Sequence, residues 1–285
     1  MEQQVIGVLG GSGLYEIEGL TGVEEVTLVT PFGEPSDAYL VGELSGRKLV
    51  FLPRHGRGHT ISPGEVNYRA NIHGFKQLGA QWLISISAVG SMREEIKPGD
   101  VVIVDQFFDR TKNRPSTFFG DGVVGHIEFA DPICPSMFEL LAAAAAKERA
   151  TVHKGGTYIC IEGPQFSTRA ESRIYRGWGV DVIGMTNIPE AKLAREAGIC
   201  YGTVALPTDY DCWHESEEDV SVEAIIEQLQ RNVALARGII KTAALSIPAT
   251  RACRCAAAVK SAVITSPEAM SPETRSRLRL ILGEE

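Results

Sequence analysis

The sequence predicts an α/β fold. Short apolar runs recur along the chain, at Val5-Ile6-Gly7-Val8-Leu9, Lys48-Leu49-Val50-Phe51-Leu52, Trp82-Leu83-Ile84-Ser85-Ile86-Ser87 and Tyr201-Gly202-Thr203-Val204-Ala205-Leu206. Runs of this length and composition read as buried strands. Segments of helical spacing accompany them, the longest from 222 to 244, where Ile225, Ile226, Leu229, Val233, Leu235 and Ile239 fall on a packing face. Several strand runs open directly into glycine-rich or polar turns, the place where open α/β sheets keep their ligands. With 285 residues, 44% hydrophobic and 22% charged, the chain has core enough for one large α/β domain or two small ones.

Composition narrows the function classes. No apolar run approaches the ~18 residues of a membrane span. The start, Met1-Glu2-Gln3-Gln4-Val5, has neither a basic region nor an apolar stretch of a secretory signal, so a cytoplasmic protein is expected. A net charge of -8 and a pI near 5.4 argue against a general nucleic-acid binder, yet leave room for a local anion site. The six cysteines are scattered and show no C-x-x-C spacing, so neither a disulfide framework nor zinc is expected.

In chain order, the first strand runs into Gly10-Gly11-Ser12-Gly13-Leu14. This is neither a dinucleotide fingerprint nor a Walker A loop. It is a phosphate-cradling turn with the Ser12 hydroxyl at its tip, or a plain tight turn. The second strand ends in Pro53-Arg54-His55-Gly56-Arg57-Gly58-His59, either an anion site, where arginine grips a phosphate with two donors and histidine adds another, or an exposed basic loop. A helix is expected over Glu65 to Leu78, with Gly79 as its stop. The third strand leads to Ala88-Val89-Gly90-Ser91, with the Ser87 hydroxyl and the Ala88 amide as donors. Three strand ends, near Ser12, Arg54 and Ser87, thus each offer an anion donor. In a twisted sheet they can meet at one rim.

Further on, 101–105 reads as a strand and the polar stretch 110–130, with Phe118, Phe119 and His126, as a long loop of functional type. Ala142 to Ala146 is helical by propensity. Thr157 to Ile161 is a strand entering Glu162-Gly163-Pro164-Gln165-Phe166-Ser167-Thr168-Arg169. There Phe166 can lie against a flat base or fill the core. Val182-Ile183-Gly184-Met185-Thr186 supplies an adaptable apolar wall in Met185 and another donor in Thr186. Pro189 opens a helix to Ala197, and Ser271-Pro272-Glu273 caps a last helix ending near Leu282.

The most informative stretch is Thr208-Asp209-Tyr210-Asp211-Cys212-Trp213. In extended backbone, side chains two apart share a face, so Asp209 and Asp211 can converge on one small polar object. A purine edge, with a ring nitrogen beside an exocyclic group, is such an object. An Asx-rich turn with solvated carboxylates fits the same hexapeptide.

Taken together these stretches carry a pattern. With Thr30-Pro31-Phe32-Gly33, Val66 to Ile72, Arg93 to Asp100 and Glu162-Gly163-Pro164, the chain resembles the trimeric branch of the purine nucleoside phosphorylase family, in its methylthioadenosine-specific members. The resemblance covers the chain to about Lys241. It implies a single α/β domain with a central mixed β-sheet flanked by helices, over residues 1–250, with 251–285 as a C-terminal C-x-C segment and tail. It implies a homotrimer or a dimer of trimers. It also implies phosphorolysis of S-methyl-5'-thioadenosine without cofactor or metal, phosphate being a co-substrate and no nucleic acid or membrane a partner. Ser12, Arg54, His55, Ser87, Ala88 and Thr186 match its phosphate positions, and Met185 a ribose contact. Asp209, Tyr210 and Asp211 match the base segment, with Asp209 as the acid and Phe166 against the ring. Ser167 and Val222 match positions of substrate preference, and His126 one that reaches a neighbour's pocket. Gln165 departs from the arginine common there, and the tail from Pro267 has no counterpart. Cys253-Arg254-Cys255 is similar to a C-x-C of heat-stable members; a bridge across one residue is strained and easily reduced, so free thiols are expected, and the Cys134–Cys200 pairing stays open. A carboxylate facing a 6-oxo group lacks a proton to share, at a cost of about 1–3 kcal/mol. Adenine is therefore favoured over hypoxanthine, with a methylthioinosine or general purine nucleoside phosphorylase as the alternative.

Overall fold

The computed structural model describes residues 4–11, 13–214 and 222–284, of which 222–227 and 229 are described in backbone only. Ser12 and the side chain of Val222, both read above as ligand contacts, lie outside the described residues. The first apolar runs are strands where the sequence places them: β1 (Val5–Gly10), β4 (Arg47–Pro53) and β5 (Trp82–Ser91). Between them lie β2 (Thr21–Val26) and β3 (Tyr39–Leu44), which extend the sheet antiparallel from β4. Helix α1 (Tyr68–Gln77) starts later than 65, because the Asn67 side chain caps it by accepting from the Ala70 N–H. Glu65 turns back to the Ser62 hydroxyl and amide.

The remaining elements are β6 (Val101–Ile103), β7 (Gln106–Arg110), α2 (Pro135–Lys147), β8 (Val152–Lys154), β9 (Thr157–Ile161), α3 (Arg169–Gly177), β10 (Val182–Gly184), α4 (Asn187–Glu196), β11 (Cys200–Asp209), α5 (Val222–Ser246) and α6 (Pro272–Leu282). The expected last helix is present, with Ser271 accepting from the Thr274 N–H and Gly283 closing it in the left-handed region. One mixed sheet joins all eleven strands among the described residues. Helices α1, α4 and α6 lie together on one side of it and α2 and α5 on the other, each side with its own apolar core. The tail belongs to these cores: Val259, Leu278 and Ile281 join the first, Cys255 the second.

The site follows from one irregularity of pairing. Strand β11 runs parallel along β5 from Trp82 to Gly90. On the other edge of β5, β1 pairs only from Trp82 to Ser85, and β10 joins antiparallel at Gly90 and Ser91. The edge therefore parts over residues 86–89, between the end of one partner and the start of the next. A sheet that forks exposes backbone polar groups, and these face a cavity instead of a neighbouring strand.

Candidate active site

A cavity of about 430 Å³ fills the fork. It is walled by the ends of β1 (Gly11), β4 (Arg54, His55), β5 (Ser87, Ala88), β10 (Met185, Thr186) and β11 (Asp209, Asp211). The three strand ends predicted to share a rim thus do so. Phe166 and Ser167 come in from the loop after β9, and α5 adds Asn232, Val233 and Ala236, which the sequence reading missed.

Arg54 sits at the root of the fork, 3% exposed. Its Nη1 donates to the Ile86 carbonyl at 3.0 Å and Nη2 to the Leu9 carbonyl at 3.3 Å, where β1 and β5 diverge. Nη2 also donates to Ser85 Oγ at 2.8 Å, and Nε pairs with the fully buried Glu190 carboxylate. An open two-pronged grip on an anion, as the sequence suggests, is therefore not what Arg54 presents. Of its five N–H groups, at most one on Nη1 is left for a guest. Burial works against its charge, but the Glu190 carboxylate holds its pKa above the ordinary arginine value.

The hydroxyls stand where an anion needs donors. Ser87 Oγ lies 3.4 Å from Thr186 Oγ1 and 3.1 Å from the Tyr158 hydroxyl. Burial raises the Tyr158 pKa, so it stays a donor. Ala88, beside Ser87, is exposed to the opening. His55 corrects a second expectation. Its Nδ1–H is spent on the Ile61 carbonyl at 2.8 Å, and burial, followed by the Arg54 charge, pushes its pKa down to about 4. It faces the cavity as a neutral ring stacked on His59 at 4.3 Å, and its remaining nitrogen is an acceptor rather than a donor.

This has a measurable consequence. The unfolded chain takes up a proton below about pH 6.5 that folded His55 refuses. Stability is therefore complete above that value and lost as pH falls toward 4, by at most ~1.4 kcal/mol per unit. Urea midpoints should drop more steeply over that window in the natural chain than in His55→Gln. Equal slopes would show that His55 is protonated in the folded state.

Asp209 and Asp211 do converge on the cavity, by a route other than strand alternation. Asp209 ends β11 after a bulge at Pro207. Asp211 takes a left-handed backbone (φ 52°) and starts a short helical turn to Trp213. Asp209 Oδ1 accepts from the Asp211 N–H at 2.8 Å and Oδ2 from the Thr208 hydroxyl at 2.6 Å. Asp211 Oδ2 accepts from Ser172 Oγ at 2.5 Å. Burial raises the Asp211 pKa, the Ser172 bond opposes this, and the Asp209 charge adds to it. The neighbouring Asp209 charge thus disfavours ionising Asp211. Ser167 Oγ, on the same wall, is buried without a hydrogen-bond partner among the described residues, the state of a hydroxyl that a ligand completes. Phe166 is 53% exposed at the mouth and not a core residue.

Two other expectations fall elsewhere. Tyr210 turns away from the cavity; its ring stacks on His214 and its hydroxyl reaches the Glu94 carbonyl at 3.4 Å. His126 is exposed on the 110–130 loop, tied by its N–H to the Ala262 carbonyl, and does not line this cavity. Gln165 is exposed. Glu190 and Arg114 were not foreseen. Arg114 is buried and donates to the carbonyls of Glu162, Met185 and Ile188, fixing the β9 loop against β10.

The fork is lined by hydroxyls and a masked arginine, with a carboxylate pair further along the same cavity. In keeping with this, the chain belongs to the Phosphorylase superfamily, whose model it matches over residues 5–244. It is 62% identical to an S-methyl-5'-thioadenosine phosphorylase of Geobacter sulfurreducens, with 99% of each chain covered. To one of Koribacter versatilis it is 53% identical, covering 99% of this chain and 97% of the other. The crystal structure of a methylthioadenosine phosphorylase from an antarctic soil metagenomic library superposes with a TM-score of 0.94 at 49% identity, over 99% of this chain and 100% of the other. A Schistosoma mansoni methylthioadenosine phosphorylase solved with adenine superposes with a TM-score of 0.85 at 38% identity, over 91% and 99%.

Proposed function

We propose that the chain catalyses phosphorolysis of S-methyl-5'-thioadenosine, giving adenine and 5-methylthioribose 1-phosphate. One observation supports this above the others: anion donors and a carboxylate pair open on the same cavity. Ser87 and Gly90, the partner of Asp209 in the sheet, are three residues apart on β5, about 10 Å of extended chain. That is the span from a sugar-bound anion to the far edge of its base.

Phosphate is held near Ser87, Ala88 and Thr186, with Ser12 read as a further donor. Arg54 supplies positive potential from below and His55 accepts from a phosphate O–H. The base lies against Phe166, its ring nitrogen toward Asp209 and its amino group toward Asp211. As the C1'–N9 bond breaks, its electron pair moves into the adenine, and a proton from the Asp209/Asp211 pair neutralises the ring nitrogen. The ribosyl carbon gains positive charge, which the phosphate dianion stabilises and then captures by forming the C1'–O bond. Met185 packs beside the sugar. Ser167 and Val222 are read as tuning the choice of purine and of the 5' tail. No cofactor enters this scheme, and residues 1–250 carry it.

The same reading makes the assembly a homotrimer or a dimer of trimers in the cytoplasm, with His126 reaching a neighbouring pocket. It is supported by the 51% exposure of Val124 close to His126, an apolar side chain that a partner would cover. No helix among the described residues is long and apolar enough to cross a membrane.

Adenine release from methylthioadenosine, followed with and without phosphate, tests the reaction. Release should depend on phosphate and yield the sugar phosphate; equal rates in phosphate-free buffer would make the chain a hydrolase. Methylthioinosine should lag by the ~1–3 kcal/mol of a carboxylate left facing a carbonyl, roughly 5- to 150-fold in kcat/KM. Equal use of both would remove Asp211 from base selection.

A further inference from the structure

Four of the six cysteines, none of which lines the active-site cavity, meet at one point. Cys134 caps the N-terminus of α2 and Cys200 opens β11; the two segments are joined by the Cys134 N–H on the Tyr201 carbonyl at 2.9 Å. Cys253 and Cys255 come from the turn after α5. Their four sulfurs all lie within 4.8 Å of one another, and Cys200 and Cys253 approach to 3.2 Å. Cys134, Cys200 and Cys255 are buried and Cys253 is half-buried. All four are free thiols.

We propose that these four residues form a structural zinc site that clamps the C-terminal segment onto the sheet. A tetrahedral tetrathiolate has zinc–sulfur bonds of about 2.3 Å, which sets its sulfurs about 3.8 Å apart. The observed cluster brackets that spacing. A disulfide needs one pair at about 2.04 Å, and here no pair is singled out to that degree. A closed set of four soft ligands is the arrangement of structural zinc, with no open position for chemistry. The surroundings suit the negative charge such a site keeps. Cys134 is the residue at the N-terminus of α2, the positive end of the helix dipole. Arg251 is anchored on the Gly198 carbonyl at 2.8 Å, two residues before Cys200, and Arg254 separates the other two ligands. Gly198 takes the left-handed turn (φ 67°) that leads into Cys200 and lies against the backbone of Cys255 and Ala256. Binding replaces four thiol protons by one Zn²⁺, so it releases protons and tightens as pH rises. The missing C-x-x-C spacing speaks only to ligands close in the chain. The fold supplies them from three distant segments.

The test is metal and thiol content of the full chain, purified under reductant from zinc-supplemented cells and dialysed against metal-free buffer. About one zinc per chain is expected, with half-buried Cys212 reacting with a thiol reagent, fully buried Cys160 silent, and half-buried Cys253 blocked until the metal is displaced. Exchange with Co²⁺ should give the intense near-ultraviolet bands of thiolate-to-cobalt charge transfer. Zinc should fall at least about tenfold in Cys253→Ser/Cys255→Ser and stay in Cys160→Ala. The natural chain decides the matter should the double variant fail to fold. Zinc-free protein in which Cys253 reacts as readily as Cys212 would overturn the proposal. So would a non-reduced mass short by four hydrogens, which would mean two disulfides.

Discussion

Asp209→Asn should lower turnover of methylthioadenosine about 10²- to 10⁴-fold, the range of a positioned acid, while the fold stays intact. The isosteric amide can keep both local bonds. Its oxygen can still accept the Asp211 N–H, and its NH₂ can donate to Thr208 Oγ1, which keeps its own proton for the Val89 carbonyl 3.3 Å away. The stability change should therefore stay under about 1 kcal/mol. What the amide cannot do is share a proton with the departing base. The loss should fall on kcat and kcat/KM together, the mark of an interaction made in the transition state. It should shrink for a riboside whose leaving group departs as a stable anion and needs no proton. Natural turnover in the variant, with melting unchanged, would end the acid role. A fall in turnover matched by unfolding would place Asp209 in the scaffold instead. Asp211→Asn separates the pair, since it should alter the preference between 6-amino and 6-oxo substrates more than it alters turnover.

The strand ends were legible because each buried run stops abruptly at small residues, and the chain cannot hide that change of composition. Strands without such contrast were missed. β2 reads Thr-Gly-Val-Glu-Glu-Val and is exposed along most of its length, so no apolar pattern marks it; among the described residues it pairs with β3 alone. The convergence of Asp209 and Asp211 was readable as a pair but not as a geometry. It rests on one positive φ at Asp211, which no neighbouring glycine announces. A basic loop is ordinarily exposed, so the sequence presents His55 and Arg54 as open donors. Only tertiary pairing reveals that their donors face inward, to Ile61 and to the forked edge of the sheet. The cysteine cluster shows the same limit, since Cys134, Cys200 and the C-x-C pair approach only after the sheet and the tail have packed. Sequence thus gave the chemistry of the site, and the long-range contacts decide which groups remain free to perform it.

Glu190 is where that distinction has the largest energetic consequence. Glu190 lies 136 residues from Arg54, fully buried, with Ser85 Oγ at 3.0 Å and the Tyr201 hydroxyl at 3.1 Å also donating to its carboxylate. An arginine cannot shed its proton to escape burial, so the carboxylate is what makes the guanidinium tolerable beneath the cavity. Breaking a buried pair by removing one partner costs about 3–5 kcal/mol, on the order of 10 °C in Tm for a chain of this size. Glu190→Ala should show that loss, and Glu190→Gln a smaller one, since the amide refills the shape and part of the hydrogen bonding. Phosphate then distinguishes a site from a scaffold. Arg54 lines the cavity, so an anion bound there would restore the missing counter-charge. Phosphate should raise the Tm of Glu190→Ala more than that of the natural chain, with a steeper concentration dependence. If phosphate shifts both proteins equally, the Arg54 charge does not reach the anion, and recognition rests on the hydroxyls of Ser87 and Thr186 alone.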